Sequence, residues 1–313
     1  MKTKQRVAIY NTIATKLALL SNTQLLALIE KTTPMGASIG GTTALLEIDG
    51  HHVFIKKIRL ADIEKHPDNM MSTANRFELP LYYHYGVGSA GFGAWRELAS
   101  HVITTNWVIA GECHHFPLMY HWRVLPTSKL GPSVETIKTL NDAVHFWGES
   151  KAIKARLEDS QNASAEIALF LEYFPQNVYD WLAIEIKKDS QSAKSACSMV
   201  EKNLSAAVSF MNKEGLLHFD AHFWNILTDG EDLYFSDFGL AISSQFDLSE
   251  SEMHFFKEHR LYDKCYIKYH LAKWLLIEYL GEDNWKAALE EHKIKVLQQN
   301  LWVLGGSSSF PSW

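Results

Sequence analysis

His218-Phe219-Asp220-Ala221-His222-Phe223-Trp224-Asn225-Ile226-Leu227, followed a few residues on by Phe235-Ser236-Asp237-Phe238-Gly239-Leu240, sets two carboxylates and an amide in a tight order. Asp229-Gly230, a dipeptide of turn chemistry, and the short strand-like piece Leu233–Ser236 separate the two blocks. Phosphoryl transfer asks for such a set. The acceptor oxygen must be oriented and relieved of its proton, and a metal must be held across the phosphates to neutralise the charge that builds on them. An isolated Asp or Asn in a loop is usually a turn or cap residue, but their joint spacing favours chemistry. Asp220 is expected to take the proton, with Asn225 and Asp237 as oxygen ligands for a hard cation such as Mg²⁺.

The two blocks resemble the H-x-D-x-x-x-x-N loop and the D-F-G metal site of protein kinases and their relatives. The resemblance implies a lysine on a strand, preceded by a glycine loop over the phosphates of ATP. Val53-Phe54-Ile55-Lys56 is similar to the lysine strand, and Gly36-Ala37-Ser38-Ile39-Gly40-Gly41 to the loop. By the same resemblance Gly36, Ser38, Gly40 and Gly41 face phosphates and Lys56 holds them. Main-chain groups of Glu172 and Phe174, in Leu169-Phe170-Leu171-Glu172-Tyr173-Phe174-Pro175, bond adenine, and Asp180-Trp181-Leu182 starts the next helix. Lys57 should point to the opposite face of its strand. Glu97 is the preferred ion-pair partner of Lys56, with Glu64 and Glu78 also open. His218 is expected to be a structural hydrogen-bonding residue of its loop.

Outward from these motifs the pattern is α+β. Apolar positions at helical spacing over 5–31 predict one or two amphipathic helices ended by Pro34 and Gly36. A hairpin follows, Ala44–Ile48 and Val53–Lys56 around Asp49-Gly50. Leu118–Leu125 and Ile167–Phe174 are further strand-like runs, a helical stretch lies near 134–158, and after Pro175 the chain is mostly helical, with Met253–Leu280 and Trp285–Leu304 in the last part. The resemblance makes this a two-lobed protein-kinase-like fold, with a helical segment at 1–33, a β-rich N-lobe at 34–174 and a helical C-lobe at 175–313, each lobe able to bury its own core. Gly305–Ser309 reads as a flexible tail.

The 313 residues are 47% hydrophobic and 21% charged, which fits a packed globular protein, and a net charge of −6 disfavours nucleic acid as a partner. Three cysteines without CxxC spacing fit a reducing, cytoplasmic setting. No apolar run has the length of a membrane span, and no signal peptide is expected. A second glycine pattern, Gly86-Val87-Gly88-Ser89-Ala90-Gly91, fits a substrate-facing loop better than a dinucleotide fold, for want of alternating strands and helices around it. His51-His52 and His114-His115 read as solvated loop histidines.

The chain departs from regulated protein kinases at Phe219, where many carry arginine, and in having no A-P-E. The implied activity is an ATP- and Mg²⁺-dependent kinase acting on a hydroxyl, slightly favouring a small molecule of the aminoglycoside or choline class. A protein Ser/Thr acceptor and a nucleotide-binding pseudokinase are the alternatives.

Overall fold

In the computed structural model, residues 2–38, 41–85, 89–127, 134–281 and 284–286 are described. Gly40, 86–88 of the second glycine pattern and the Gly305–Ser309 segment lie outside them. Two helices come first, α1 (Lys2–Ala18) and α2 (Asn22–Ile29). Ser21 starts α2 with a capping box: its hydroxyl accepts from the Gln24 N–H, and the Gln24 side chain accepts from the Ser21 N–H.

Three strands follow, β1 (Thr33–Ser38), β2 (Gly41–Ile48) and β3 (His51–Leu60). Asp49 and Gly50 both have positive φ, 51° and 76°, the handedness that lets a two-residue turn match the twist of β2 and β3. Short α3 (Asp62–Lys65), a long connection, α4 (Ala94–Ile109), β4 (Met119–Pro126), α5 (Val134–Phe146), α6 (Lys151–Asn162) and β5 (Ala165–Glu172) come next. The five strands form one antiparallel sheet in the order β1-β2-β3-β5-β4.

Alternation in β3 decides what each face meets. Val53 and Ile55 join the large core, whereas Ile58 and Leu60 pack with Trp95 and Leu98 of α4. Lys56 shares the parity of Ile58 and therefore faces α4. Lys57 turns away and pairs with Glu166 at 3.1 Å.

Beyond Glu172 the chain is mainly helical: β6 (Gln176–Asn177), α7 (Val178–Glu185), α8 (Ser190–Lys213), β7 (Leu216–Leu217), β8 (Ile226–Thr228), β9 (Leu233–Phe235), β10 (Ile242–Ser243), α9 (Glu250–Glu258) and α10 (Tyr262–Leu280). Helix α7 begins earlier than the sequence suggests. Asn177 caps it by accepting from the Asp180 N–H at 2.9 Å, which puts Asp180 inside the first turn. The main core also differs from the expectation of one core per lobe. A single apolar cluster runs from Ile13 and Val53 through Trp107, Phe116 and Phe238 to Val208 and Trp274. Phe238 is fully buried at its centre; truncation of such a ring to Ala costs about 3–5 kcal/mol. No single helix among the described residues is long and apolar enough to cross a membrane.

Candidate active site

Strand β3 presents Lys56 under α4, and the first turn of α4 presents Glu97 to meet it. Lys56 Nζ lies 2.6 Å from Glu97 Oε1 and 2.9 Å from Asp237 Oδ1. Burial alone would make the ammonium release its proton; Asp237 and Glu97 reverse that and raise its pKa. For Asp237 burial works against ionisation, yet Lys56 holds its carboxyl at about 2. Glu97 is pushed up by burial, with the nearby Asp237 charge adding to it against Lys56. One cation thus serves two carboxyl groups.

Of the three glutamates open to Lys56, only Glu97 meets it. Glu64 turns to the N-terminus of α4 instead, where its Oε1 accepts from the Ala94 N–H at 2.7 Å and its Oε2 pairs with Arg156 at 3.3 Å. Gly93 has φ 143°, and a Cβ there would crowd the Glu64 carboxylate at 2.9 Å. The helix that carries Glu97 is therefore anchored from outside the cleft.

The 218–225 loop is held from below by Asp263, a buried residue in the first turn of α10. Asp263 Oδ2 accepts from the His218 N–H at 2.7 Å and Oδ1 from the Phe219 N–H at 3.0 Å. Phe219 sits at φ 62°, a conformation costly for a bulky residue. Its ring is stacked on Tyr262 and Phe255. His218 uses both ring nitrogens, Nε2 at 3.0 Å from the Ser236 carbonyl and Nδ1 accepting from the Asp220 N–H at 3.3 Å. Burial lowers its pKa to about 4, so it is neutral.

Asn225 donates from Nδ2 to Asp220 Oδ2 at 2.9 Å and to the Asp220 carbonyl at 3.1 Å. That fixes the amide orientation and leaves its Oδ1 as the free acceptor. The Asn225 carbonyl accepts from the Ser236 N–H at 2.9 Å and the Ser236 hydroxyl at 2.8 Å, tying the loop to the strand that delivers Asp237. Burial raises the Asp220 carboxyl to about 7, with Asp237 adding to the rise and Asn225 opposing it. A carboxylate with that pKa accepts a proton near neutral pH. The Asn225 amide oxygen and the Asp237 carboxylate, whose side chain is 42% exposed to the cleft, make an all-oxygen donor pair that fits Mg²⁺.

A cleft of about 290 Å³ runs past this cluster, lined by Met35, Thr43, Phe54, Lys56, Phe174 and Asp237 among others. Glu172 also borders it, but its carboxylate is taken by Arg6 of α1, with Nη2 2.7 Å from Oε2, and its N–H by the Leu118 carbonyl at 2.8 Å. The Phe174 ring stacks on Tyr234. Gly36 and Ser38 lie in β1, and Gly36 pairs with Thr43 of β2. Gly41 opens β2 at φ 137°, where a Cβ would collide with the Lys57 carbonyl, so its glycine character answers to the packing of β2 on β3. Gly91 is required in the same way: its Cβ would collide with the Gly239 carbonyl. The described end of the second glycine pattern therefore rests directly on the Asp237–Gly239 turn.

The reading of His114-His115 as solvated is corrected. His115 is buried, its Nδ1 is 3.0 Å from the Leu233 carbonyl, and the two histidines converge with Asp232 so that their donor atoms lie within 4.8 Å of one another. The β8–β9 hairpin brings Asp232 there from far along the chain. The ammonium of Lys2, 3.5 Å from Asp232 Oδ2, already supplies positive charge to this group. Arg6 and Asp263 are the supporting residues that sequence reasoning missed. Each stands on the apolar stripe of its helix, Arg6 with Ile13 and Leu17, Asp263 with Ile267 and Trp274, and a charge on a buried stripe is the available signal. No family model matches the chain, and no curated protein matches it.

Proposed function

We propose that the protein is an ATP- and Mg²⁺-dependent phosphotransferase of two-lobed, protein-kinase-like architecture that acts on a hydroxyl acceptor. The observation that carries this reading is the convergence of Lys56, Glu97 and Asp237 within 2.9 Å contacts, beside an Asp220 and Asn225 that are bonded to each other. In this reading the adenine lies in the cleft against Phe54 and Leu171, near the Glu172–Phe174 main chain, and Lys56 contacts the phosphates. Asn225 and Asp237 hold Mg²⁺, which when bound draws charge from the transferring phosphoryl group. Asp220 orients the acceptor hydroxyl and takes its proton.

A small acceptor is favoured by the space beside Asp220. That cavity is about 80 Å³ and is walled by Ser89, Ala90, Gly91 and Gly93, well below the few hundred Å³ of ordinary ligand pockets. The segment after Asp237 needs no phosphate to be ordered. The Leu240 carbonyl meets His84 Nδ1 at 3.0 Å, and the buried Arg96 holds Glu252 at 2.6 Å. The free cysteines Cys113, Cys197 and Cys265 support a cytoplasmic setting.

The test is calorimetry of ATP with and without Mg²⁺, followed by an ATP-consumption screen over hydroxylated metabolites, aminoglycosides and proteins. The reading expects Mg²⁺-dependent ATP binding that Asp237→Ala weakens, and turnover with at least one acceptor. Equal binding by Asp237→Ala, or tight ATP binding without transfer to any acceptor or to water, contradicts it.

A further inference from the structure

The cavity beside Asp220 already contains a hydroxyl. Ser89 lines it together with Asp220, Asp237, Arg59 and Arg156, and among the described residues the only other hydroxyl on its wall is that of Ser160. Ser160 belongs to α6, whose backbone is committed to helix. Ser89 is in no helix or strand and is followed by Gly91 and Gly93 at φ 71° and 143°. Those two residues can absorb a backbone rotation that a side chain would forbid. The stretch that follows Ser89 is held in place. The Ala90 N–H donates to the Tyr83 hydroxyl at 2.9 Å, Gly91 sits on Gly239, and the Gly91 N–H donates to Ser89 Oγ at 3.1 Å. The last bond uses Ser89 Oγ as acceptor; the Ser89 proton rests on the Tyr83 hydroxyl and leaves that contact for Asp220 in the transfer.

Resting on the phosphotransferase reading, we propose that Ser89 is a phosphoryl acceptor in cis, so that the protein modifies its own acceptor-side wall. In the step, the Asp220 carboxylate takes the Ser89 Oγ proton as the bond from Oγ to the γ-phosphorus of ATP forms. The bond from that phosphorus to the β–γ bridging oxygen breaks, and ADP leaves. The product then meets two guanidinium groups on the same wall. Arg156, already bonded to Glu64 and 3.5 Å from the Gly91 carbonyl through Nε, and Arg59 bring the positive charge that stabilises a phosphoserine. A phosphate at Ser89 would fill a cavity of this size and shut out any other acceptor, so the modification limits the enzyme's own turnover.

The experiment incubates the protein with Mg²⁺ and γ-labelled ATP, follows incorporation at several protein concentrations, and locates the phosphate by peptide mass spectrometry. One phosphate on Ser89, incorporated with a rate constant independent of protein concentration, is the expected result. Ser89→Ala should lose incorporation while its Mg²⁺-dependent ATP affinity, set in the neighbouring cleft against Phe54 and Leu171, stays within about two-fold of the parent. Ser160→Ala should be labelled like the parent. ATP hydrolysis without label on Ser89, label on another residue, or a rate that rises with protein concentration overturns the inference and leaves the phosphotransferase reading standing. Absence of both hydrolysis and transfer overturns the two together.

Discussion

The Arg6 guanidinium grips the Glu172 carboxylate in a two-point contact, Nε 2.9 Å from Oε1 and Nη2 2.7 Å from Oε2, and so fastens α1 to the strand end that borders the cleft. The same guanidinium donates to the His114 and Phe116 carbonyls at 2.9 and 2.6 Å and lies over the Tyr234 ring. Glu172 Oε2 also accepts from the Leu118 N–H at 3.0 Å. Helix α1, the segment leading into β4, the end of β5 and β9 thus meet at one ion pair, of which little is exposed: 8% of the Arg6 side chain and 12% of that of Glu172.

Removing one partner leaves a buried charge alone. Arg6→Ala is therefore expected to lower unfolding stability by about 3–5 kcal/mol. Arg6→Lys should restore less than half of it, because an ammonium cannot reproduce the planar fork. Urea unfolding of the three proteins measures this, and a loss below about 1 kcal/mol for Arg6→Ala would show that the clamp contributes no more than a surface pair.

The Lys56–Glu97 pair makes a second prediction. Lys56→Met and Glu97→Gln should each destabilise the fold, but the double variant should lose less than their sum, with a coupling of about 1–3 kcal/mol. Glu97→Gln should also lower turnover by roughly 10–100-fold, through loss of the contact that holds Lys56 in place. Additive losses in the cycle would mean that the two side chains do not depend on each other.

Asp263 supports the loop without touching the cleft. Asp263→Asn exchanges one acceptor oxygen for a donor and leaves a backbone N–H of His218 or Phe219 unpaired, a cost of about 1–3 kcal/mol. Turnover should fall while ATP affinity stays within a few-fold, since Phe219 relaxes from φ 62° and carries Asp220 with it. Unchanged turnover would show that the loop holds its shape without α10.

What the sequence shows and what it hides divide along physical lines. Lys56, Asp220, Asn225 and Asp237 sit in short blocks whose local order carries the information, and Asp49-Gly50 declares its turn by backbone chemistry alone. The sequence prefers Glu97 but leaves Glu64 and Glu78 open, because a long connection lies between β3 and α4 and only the packing of Trp95 and Leu98 on Ile58 fixes which turn faces Lys56. Arg6 and Asp263 find partners at separations of 166 and 45 residues, beyond any local pattern. The shared core was hidden for the same reason: Phe238 carries no mark in sequence of packing against both His101 of α4 and His218.

Asp220 also makes a prediction about pH. Its folded-state pKa of about 7 lies above the ordinary aspartate value of 3.8, so between those values the native carboxyl holds a proton that the unfolded chain has released. Stability on this account is full below pH about 4, falls as pH rises through about 7, and is level above that. Asp220→Asn removes the effect and should stabilise the ligand-free protein at pH 8 by on the order of 2–4 kcal/mol, with the gain shrinking steadily toward pH 5. Denaturant unfolding at the two pH values without metal checks it; an equal effect at both would place the cause outside Asp220 ionisation.

The most direct measurement pairs steady-state turnover with equilibrium ATP binding for the parent and Asp220→Asn. The substitution keeps the shape and the Asn225 contact and removes only the charge that takes the acceptor proton. The account predicts that kcat falls by roughly 10²–10⁴-fold while Mg²⁺-dependent ATP affinity changes by only several-fold. Turnover within a few-fold of the parent would contradict it, because Asp220 would then not be the base.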